Sequence, residues 1–422
     1  MLTNYFKIFL KIASQNKLFT FLSLFGISLT IMFVMIFSMA LSKITTGEGP
    51  ESELKKIIFC QRVLTRSTEE AKKGGGSLSS CGRTLCEDYL KRLKSAEFIS
   101  MYSGAPWEFI FNGKYQKKEQ TNTDAEYWDI FHYDFLQGRP YTREEVVNKA
   151  NLAVITRSLK ELLFGTEENV LGKTVHYTSV DLTIIGVVDD PPETSQNATG
   201  DLYIPYTLLP ESNNWGIYIG GYKVAFKADS RKQFGIIRNE VQEMITRLDA
   251  ADTLNTVFLS GPYTQLEKMM VGYGNPEDYS LGSSLVRYFM LALAFLLLPA
   301  VNLMALNFAR INERGEEIAV RKSFGAASSV LRGQFLFENI LMTITGGIIG
   351  IVLSYILVAI LGNSFTLSTG LFFKVPLTYS FNIIVFLVAL VTCLLFGLLS
   401  GYLPAVRLSR MKPAVYLKGG EL

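Results

Sequence analysis

The 422-residue chain predicts an integral membrane protein: four transmembrane α-helices, one N-terminal and three C-terminal, with a large α+β extracytoplasmic domain between helices one and two. Three observations predict it. Four uncharged runs are of the order of the roughly 20 apolar residues that cross a bilayer core. Lys and Arg gather beside the ends of those runs. The long segment after the first run mixes short strand-like stretches with helical ones.

Lys17 and Lys43 bracket the first run, Leu18 to Leu41, which ends an N-terminal segment 1–42. Ser38-Met39-Ala40 has the small-x-small form that signal peptidase cuts, but signal cores run about 7 to 15 residues. The longer run reads as a retained anchor. Helix two occupies 286–309, between Arg287 and Arg310, and Pro299 within it predicts a kink. Its Asn302 and Asn307 amides require partners inside the membrane, read as hydrogen bonds between helices. Helix three spans 335–361 and helix four 380–404, stopped at Pro404. The loops between them are a cytoplasmic 310–334 and an extracytoplasmic 362–379, and 405–422 is a cytoplasmic tail.

Charge sets the orientation, because cytoplasmic flanks are enriched in Lys and Arg. Lys7, Lys11 and Lys17 precede helix one; Arg310, Arg314, Arg321, Lys322 and Arg332 separate helices two and three; Arg407, Arg410, Lys412 and Lys418 follow helix four. Both termini are therefore placed inside. Residues 43–285 hold 27 Lys and Arg against 33 Asp and Glu, a net of −6, so the remainder carries +9 of the overall +3. The basic excess is a topology signal, which removes the warrant for nucleic-acid binding. No helix carries a charge at its middle, and Glu338 lies near the cytoplasmic start of helix three, which argues against an ion-coupled transporter.

Within 43–285, Leu152–Thr156, Thr174–Tyr177, Leu182–Val188 and Tyr222–Lys227 are short runs rich in β-branched residues between Gly, Pro, Asp or Asn, the pattern of strands. Glu87–Leu93, Ser158–Phe164 and Phe234–Leu248 have helical spacing. Gly172-Lys173-Thr174 has the ending of a phosphate-binding loop, but Glu167 occupies the position of the opening glycine and would repel phosphate. The segment reads as a turn before a strand. Asp189-Asp190-Pro191-Pro192 reads as a solvated turn rather than a carboxylate pair for catalysis, and Asn197-Ala198-Thr199 as a chance sequon. With two histidines and no His-Glu-x-x-His or Gly-x-Ser-x-Gly motif, enzymatic activity has no support in the sequence.

Of four cysteines, Cys60, Cys81 and Cys86 fall outside and Cys393 falls in helix four. Three outside thiols allow one intramolecular disulfide, with the pairing open. Neither His132 nor His176 neighbours them in sequence, so no metal site is expected. Trp107, Trp128 and Trp215 read as core or interface anchors rather than ligand contacts.

The 310–334 loop mixes signs, with Glu313, Glu316 and Glu317 among Arg314, Arg321 and Lys322, and adds apolar Ile318, Val320 and Phe324. This composition suits docking on a protein better than on anionic lipid. Helix three carries Gly346, Gly350 and Ser354 at four-residue spacing, and helix four carries Gly397 and Gly401. Such rows let helices approach closely, within one subunit or between two.

Glu317-Ile318, Arg321-Lys322 and Gly325-Ala326 together resemble the cytoplasmic coupling loop of the FtsX/MacB family of ABC-transporter permeases. Tyr127–Phe131 with Phe135–Pro140, Leu152–Phe164 with Gly172–Thr174, and Ile184–Asp189 are similar to phrases of its extracytoplasmic domain, in the same order. The resemblance implies a multi-pass permease of the bacterial inner membrane that works by mechanotransmission. It also implies separate cytoplasmic ABC ATPase subunits that bind ATP and Mg and dock on Glu316, Glu317, Ile318, Val320, Arg321, Lys322, Phe324 and Gly325. A second permease copy or paralogue completes the dimer, membrane lipid surrounds it, and a periplasmic adaptor is a further implied partner. The implied cargo is an amphiphile, peptide, antibiotic or lipoprotein. The alternative is an FtsX-like regulatory subunit that activates an extracytoplasmic partner such as a cell-wall hydrolase.

Overall fold

The computed structural model describes residues 17–67, 76–192, 195–209, 217–271 and 320–361, with short stretches at 282–287, 366–369 and 373–376 and scattered positions elsewhere. It divides into two compact units. One holds residues up to Ser42 and from Leu285 onward, apart from a short piece of the 362–379 loop; the other holds Lys43–Ser284 with that piece.

In the second unit, three short strands, β1 (Ile57–Cys60), β2 (Arg62–Ser67) and β3 (Ser77–Cys81), precede a long hairpin of β4 (Phe98–Phe111) and β5 (Lys114–Thr123). The hairpin reverses at Asn112 and Gly113, both at positive φ (50° and 72°), the turn that matches strand twist. β6 (Phe135–Gly138), β7 (Leu152–Thr156), β8 (Thr174–Tyr177), β9 (Val180–Val188) and β10 (Leu202–Pro205) follow, then β11 (Ile219–Gly220), β12 (Lys223–Lys227) and β13 (Asn255–Ser260). The main sheet is ordered β1-β12-β4-β5-β10-β7-β9-β6, with β8 paired to β9; β10 runs parallel to β5 and β7 parallel to β9. A second sheet is ordered β11-β3-β2-β13. The mixture of parallel and antiparallel pairs with interspersed helices is the expected α+β class.

All four strands expected from sequence form, with shifted starts at Val180 and Lys223. In chain order the helices are α1 (Lys17–Thr46), α2 (Tyr127–Ile130), α3 (Arg143–Val147), α4 (Arg157–Phe164), α5 (Phe234–Ala251), α6 (Gln265–Val271) and α7 (Ser328–Leu361). The expected helix at Glu87–Leu93 is instead a widened turn, Leu85–Tyr89, running into a 3₁₀ turn, Leu90–Arg92. Leu85, Cys86 and Leu90 are all buried in the core from this short segment.

α5 buries Phe234, Ile237, Val241, Ile245 and Leu248, spaced three or four apart, so one stripe faces the core. Each such side chain contributes roughly 1.5–3 kcal/mol on full burial. α3 starts in a capping box, Thr142 with Glu145, and Arg139 grips the Glu145 carboxylate with two nitrogens at 2.6 and 2.8 Å. Arg139, before all else, holds that carboxyl down at about 2. Trp107 and Trp128 are core residues, and Trp215 lies outside the described residues.

Of the four expected spans, helices two and four fall mostly outside the described residues. Among those described, Ser329–Ile360 is long and apolar enough to cross a membrane, and Thr20–Ile36 is a shorter apolar stretch within α1. In the 362–379 loop, β14 (Thr366–Thr369) and β15 (Phe373–Pro376) pair as a ribbon.

Candidate functional site

The described part of the charged loop is a single helical turn capped before α7. Phe324 donates its N–H to the Val320 carbonyl (3.1 Å), Gly325 to Lys322 (3.0 Å) and Ala326 to Arg321 (3.1 Å). Gly325 adopts φ +90°, a conformation that disfavours any side chain. The turn reverses the chain there, and Phe324 is left 88% exposed, with Val320 also exposed. Glu316, Glu317 and Ile318 lie outside the described residues.

Arg321 Nη1 donates to Gln334 Oε1 (3.4 Å), and Gln334 Nε2 donates to Glu338 Oε1 (3.0 Å). Glu338 is buried, so a polar chain runs from the turn into α7. Sequence reasoning named its two ends for other reasons and missed Gln334, the residue that joins them. The signal was available in the i,i+4 spacing of Gln334 and Glu338.

Further along α7, a Cβ at Gly346 would stand 2.8 Å from the Ile27 side chain, and one at Gly350 would stand 2.5 Å from the Ser28 carbonyl oxygen. The two glycines thus seat α7 on α1 inside one chain. Ser354, fully buried one turn on, turns its hydroxyl to the Ile351 carbonyl (2.6 Å). Ser28, Thr30 and Thr343 satisfy their hydroxyls within their own helices in the same way. Gly397 and Gly401 lie outside the described residues.

In the other unit, Glu51 is 2% exposed, five residues past the end of α1. Its Oε1 accepts three successive backbone N–H groups, from Gln196 (2.9 Å), Asn197 (2.6 Å) and Ala198 (2.9 Å). α6 holds the same loop from the other side. Gln265 accepts from Asn197 Nδ2 (3.2 Å) and donates to Gln196 Oε1 (2.7 Å), while Lys268 Nζ donates to Asn197 Oδ1 (2.5 Å). Lys268 also stands 4.9 Å over the Phe59 ring. Burial, then repulsion from Lys223, pushes the Lys268 ammonium down to about 7, with Glu51 acting in the opposite sense. This clasp ties the chain entering the domain to the helix preceding its exit. It has no local sequence signal, since its partners lie 68 to 147 residues apart. Beside it, Glu53 pairs with Lys227 (2.8 Å) and Lys56 (2.6 Å), and its carboxyl is held at about 2, chiefly by Lys227.

The remaining sequence candidates separate. Lys173 pairs with Glu167 on the surface. Asp190 accepts the Ser158 N–H at the start of α4 (3.2 Å), and Asp189 pairs with Arg157 (3.3 Å), so both carboxylates serve a helix start. Asn197 is buried, which excludes a glycan at its sequon. Cys60, Cys81 and Cys86 are buried free thiols. Among the described residues no group of three or more His, Cys, Asp or Glu is placed to hold a metal.

The described residues thus hold an apolar helix pair, α1 and α7, and a separate α+β domain. Residues 20–247 match the model for the MacB-like periplasmic core domain, and residues 289–413 match the FtsX-like permease C-terminal. The chain belongs to the family of MacB/FtsX-type ABC-transporter permeases, inner-membrane transporters with a periplasmic domain. It is 22% identical over 405 residues to the macrolide export ATP-binding/permease protein MacB of Vibrio parahaemolyticus, covering 95% of this chain and 57% of that one. Against the same-named protein of Mannheimia succiniciproducens it is 28% identical over 306 residues, 69% and 42% of the two chains. The chain thus spans about half the length of these relatives. Among solved structures it is similar to the periplasmic region of MacB from Actinobacillus actinomycetemcomitans (TM-score 0.35, 16% identity, 52% of this chain and 94% of that one). It is similar also to the extracellular domain of the transporter YknZ from Gram-positive bacteria (TM-score 0.35, 15% identity, 48% and 99%).

Proposed function

We propose that this chain is the membrane subunit of an ABC transporter driven in trans by a cytoplasmic ATPase, which binds ATP and Mg and docks on the turn around Phe324. The observation that carries this reading is the exposed ring of Phe324 on a turn fixed by Gly325, in a chain whose family is that of ABC permeases. ATP-driven closure of the ATPase pair pulls the turn, α7 moves with it, and α1 passes the displacement toward the periplasmic domain. A second permease copy or paralogue flanks the ATPase pair, both termini are cytoplasmic, and the outward faces of α1 and α7, including Phe21, Phe25, Ile348 and Ile356, meet lipid or neighbouring helices. The cargo is an amphiphile, peptide, antibiotic or lipoprotein met at the periplasmic side, where a periplasmic adaptor receives it.

Purification from native membranes in mild detergent tests the reading. An ATP-hydrolysing protein is expected to co-elute with the wild type and to be lost with Phe324→Asp. Absence of any ATPase partner, with the chain intact, would remove the transporter reading. Transport is read separately as accumulation of a candidate substrate on deletion, and an extracytoplasmic hydrolase activated without substrate movement would point to a regulatory subunit.

A further inference from the structure

The turn around Phe324 and α7 are joined by a short hinge. Phe324, Gly325 and Ala326 donate their amides back to Val320, Lys322 and Arg321, whereas Val330 and Leu331 both donate to the Ala327 carbonyl (3.1 and 3.3 Å). Each set of these backbone bonds stays on its own side of the Ala326–Ala327 peptide. At Gly325 nothing lies within 4 Å of the place a Cβ would take, so packing does not stiffen the junction. With the backbone alone, a force applied at Phe324 would swing the turn about this hinge before it moved α7.

Side chains cross the hinge. Arg321 Nη1 donates to Gln334 Oε1 (3.4 Å), 13 residues on, and Gln334 Nε2 donates to Glu338 Oε1 (3.0 Å), one turn further into α7. Gln334 stands about 9 Å along the helix from its start at Ser328. Chemistry fixes which way its amide points, because a guanidinium has only donors and must take the oxygen, leaving the NH2 for the carboxyl oxygen. An ionised glutamate there would offer no donor, and a lysine no acceptor. Glu338, 4% exposed, anchors the far end within packed surroundings.

We propose that Gln334 is a positioning residue for ATP-driven coupling: it ties the turn to α7 at a second point, so that the two move as one body when the turn is pulled. Two attachments, the backbone at Ala327 and the side-chain tie at Gln334, fix an orientation where one would leave a swivel. Gln334 is half-buried and acts through Arg321, so its loss separates coupling from docking. The inference rests on the reading of the turn as the place where the ATPase docks.

Hydrogen exchange of the full chain in lipid nanodiscs, with and without the co-purified ATPase, tests it. Without ATPase, Gln334→Leu is expected to speed exchange in the 320–326 turn about fivefold, the effect of one lost hydrogen bond. Exchange at Gly346–Ser354 stays at the wild-type level and shows that α7 is intact. Gln334→Glu, which keeps an acceptor for Arg321, leaves the turn protected. With ATPase, ATP and orthovanadate, the wild type changes its exchange in both the turn and α7, whereas Gln334→Leu binds the ATPase with unchanged affinity and responds in the turn alone. An α7 response equal to that of the wild type overturns the proposal. So does equal speeding by leucine and glutamate, which would make Gln334 a filler of space. If no ATPase binds the wild type, the docking reading falls and the coupling role with it; a turn indifferent to Gln334→Leu while the ATPase still binds overturns the tie alone.

Discussion

The carboxylate of Glu51 accepts the backbone N–H of Asn197 at 2.6 Å and, with the same oxygen, the amides on either side of it. Three donors converging on one buried acceptor leave three orphans if it is removed. Each buried donor left unsatisfied costs about 1–3 kcal/mol before relaxation.

Glu51→Ala is expected to lower the stability of the full chain by about 3 kcal/mol, and Glu51→Gln, which keeps one oxygen, by clearly less. Urea unfolding followed by tryptophan fluorescence reads both. Equal losses would show that the negative charge, rather than the acceptor atom, holds the loop.

Lys268 sets a dependence on pH. Its folded value of about 7 lies below the ordinary lysine value of 10.5, so between these the unfolded chain binds a proton that the folded chain does not. Stability therefore rises with pH across that interval, and the penalty of burying the ammonium is fully present below about pH 7. Glu51 opposes the shift and Lys223 reinforces it. Unfolding midpoints from pH 6.5 to 9.5 are expected to climb more steeply for wild type than for Lys268→Met. Parallel curves would refute the assignment.

Gly350→Leu is expected to part α1 from α7, because even a Cβ would stand 2.5 Å from the Ser28 carbonyl. Overpacking of this kind typically costs about 1–3 kcal/mol. Cysteine pairs placed at the crossing would lose their cross-linking in this variant; retention at the wild-type level would mean that the helices do not meet there.

Phe324→Ala is expected to leave the melting temperature of the isolated chain within about 1 °C, since the ring is exposed. Binding of the cognate ATPase should weaken at least tenfold, as loss of a central aromatic anchor costs about 2 kcal/mol or more. Unchanged affinity in a pull-down titration would place docking elsewhere.

What was readable in the sequence followed distance along the chain. Leu152–Thr156 declares itself as a short continuous apolar run because the strand is buried on both faces, and Phe234–Leu248 because burial imposes a period of 3.6 on a half-covered helix. The β4–β5 hairpin was also written locally, in Asn112-Gly113, but its outer half alternates weakly and carries Lys117 and Lys118. The turn around Phe324 lies in a segment that the sequence marks as charged between apolar runs. The clasp was not, because Glu51 is an ordinary carboxylate until the fold carries Gln196 to Ala198 over it. Gly346 and Gly350 announced a close approach, yet only the packing shows that Ile27 and Ser28 occupy the notch.

That notch admits α7 only in whole steps. Slid by one residue along α1, α7 would bring Ile349 or Ile351 against the Ser28 carbonyl, and a branched side chain has no room where hydrogen alone fits. The next glycine on that face lies four residues away, about 6 Å along the helix, where Gly346 replaces Gly350. The crossing behaves as a detent: small thermal sliding is blocked, and a pull strong enough to move α7 at all must carry it a full click.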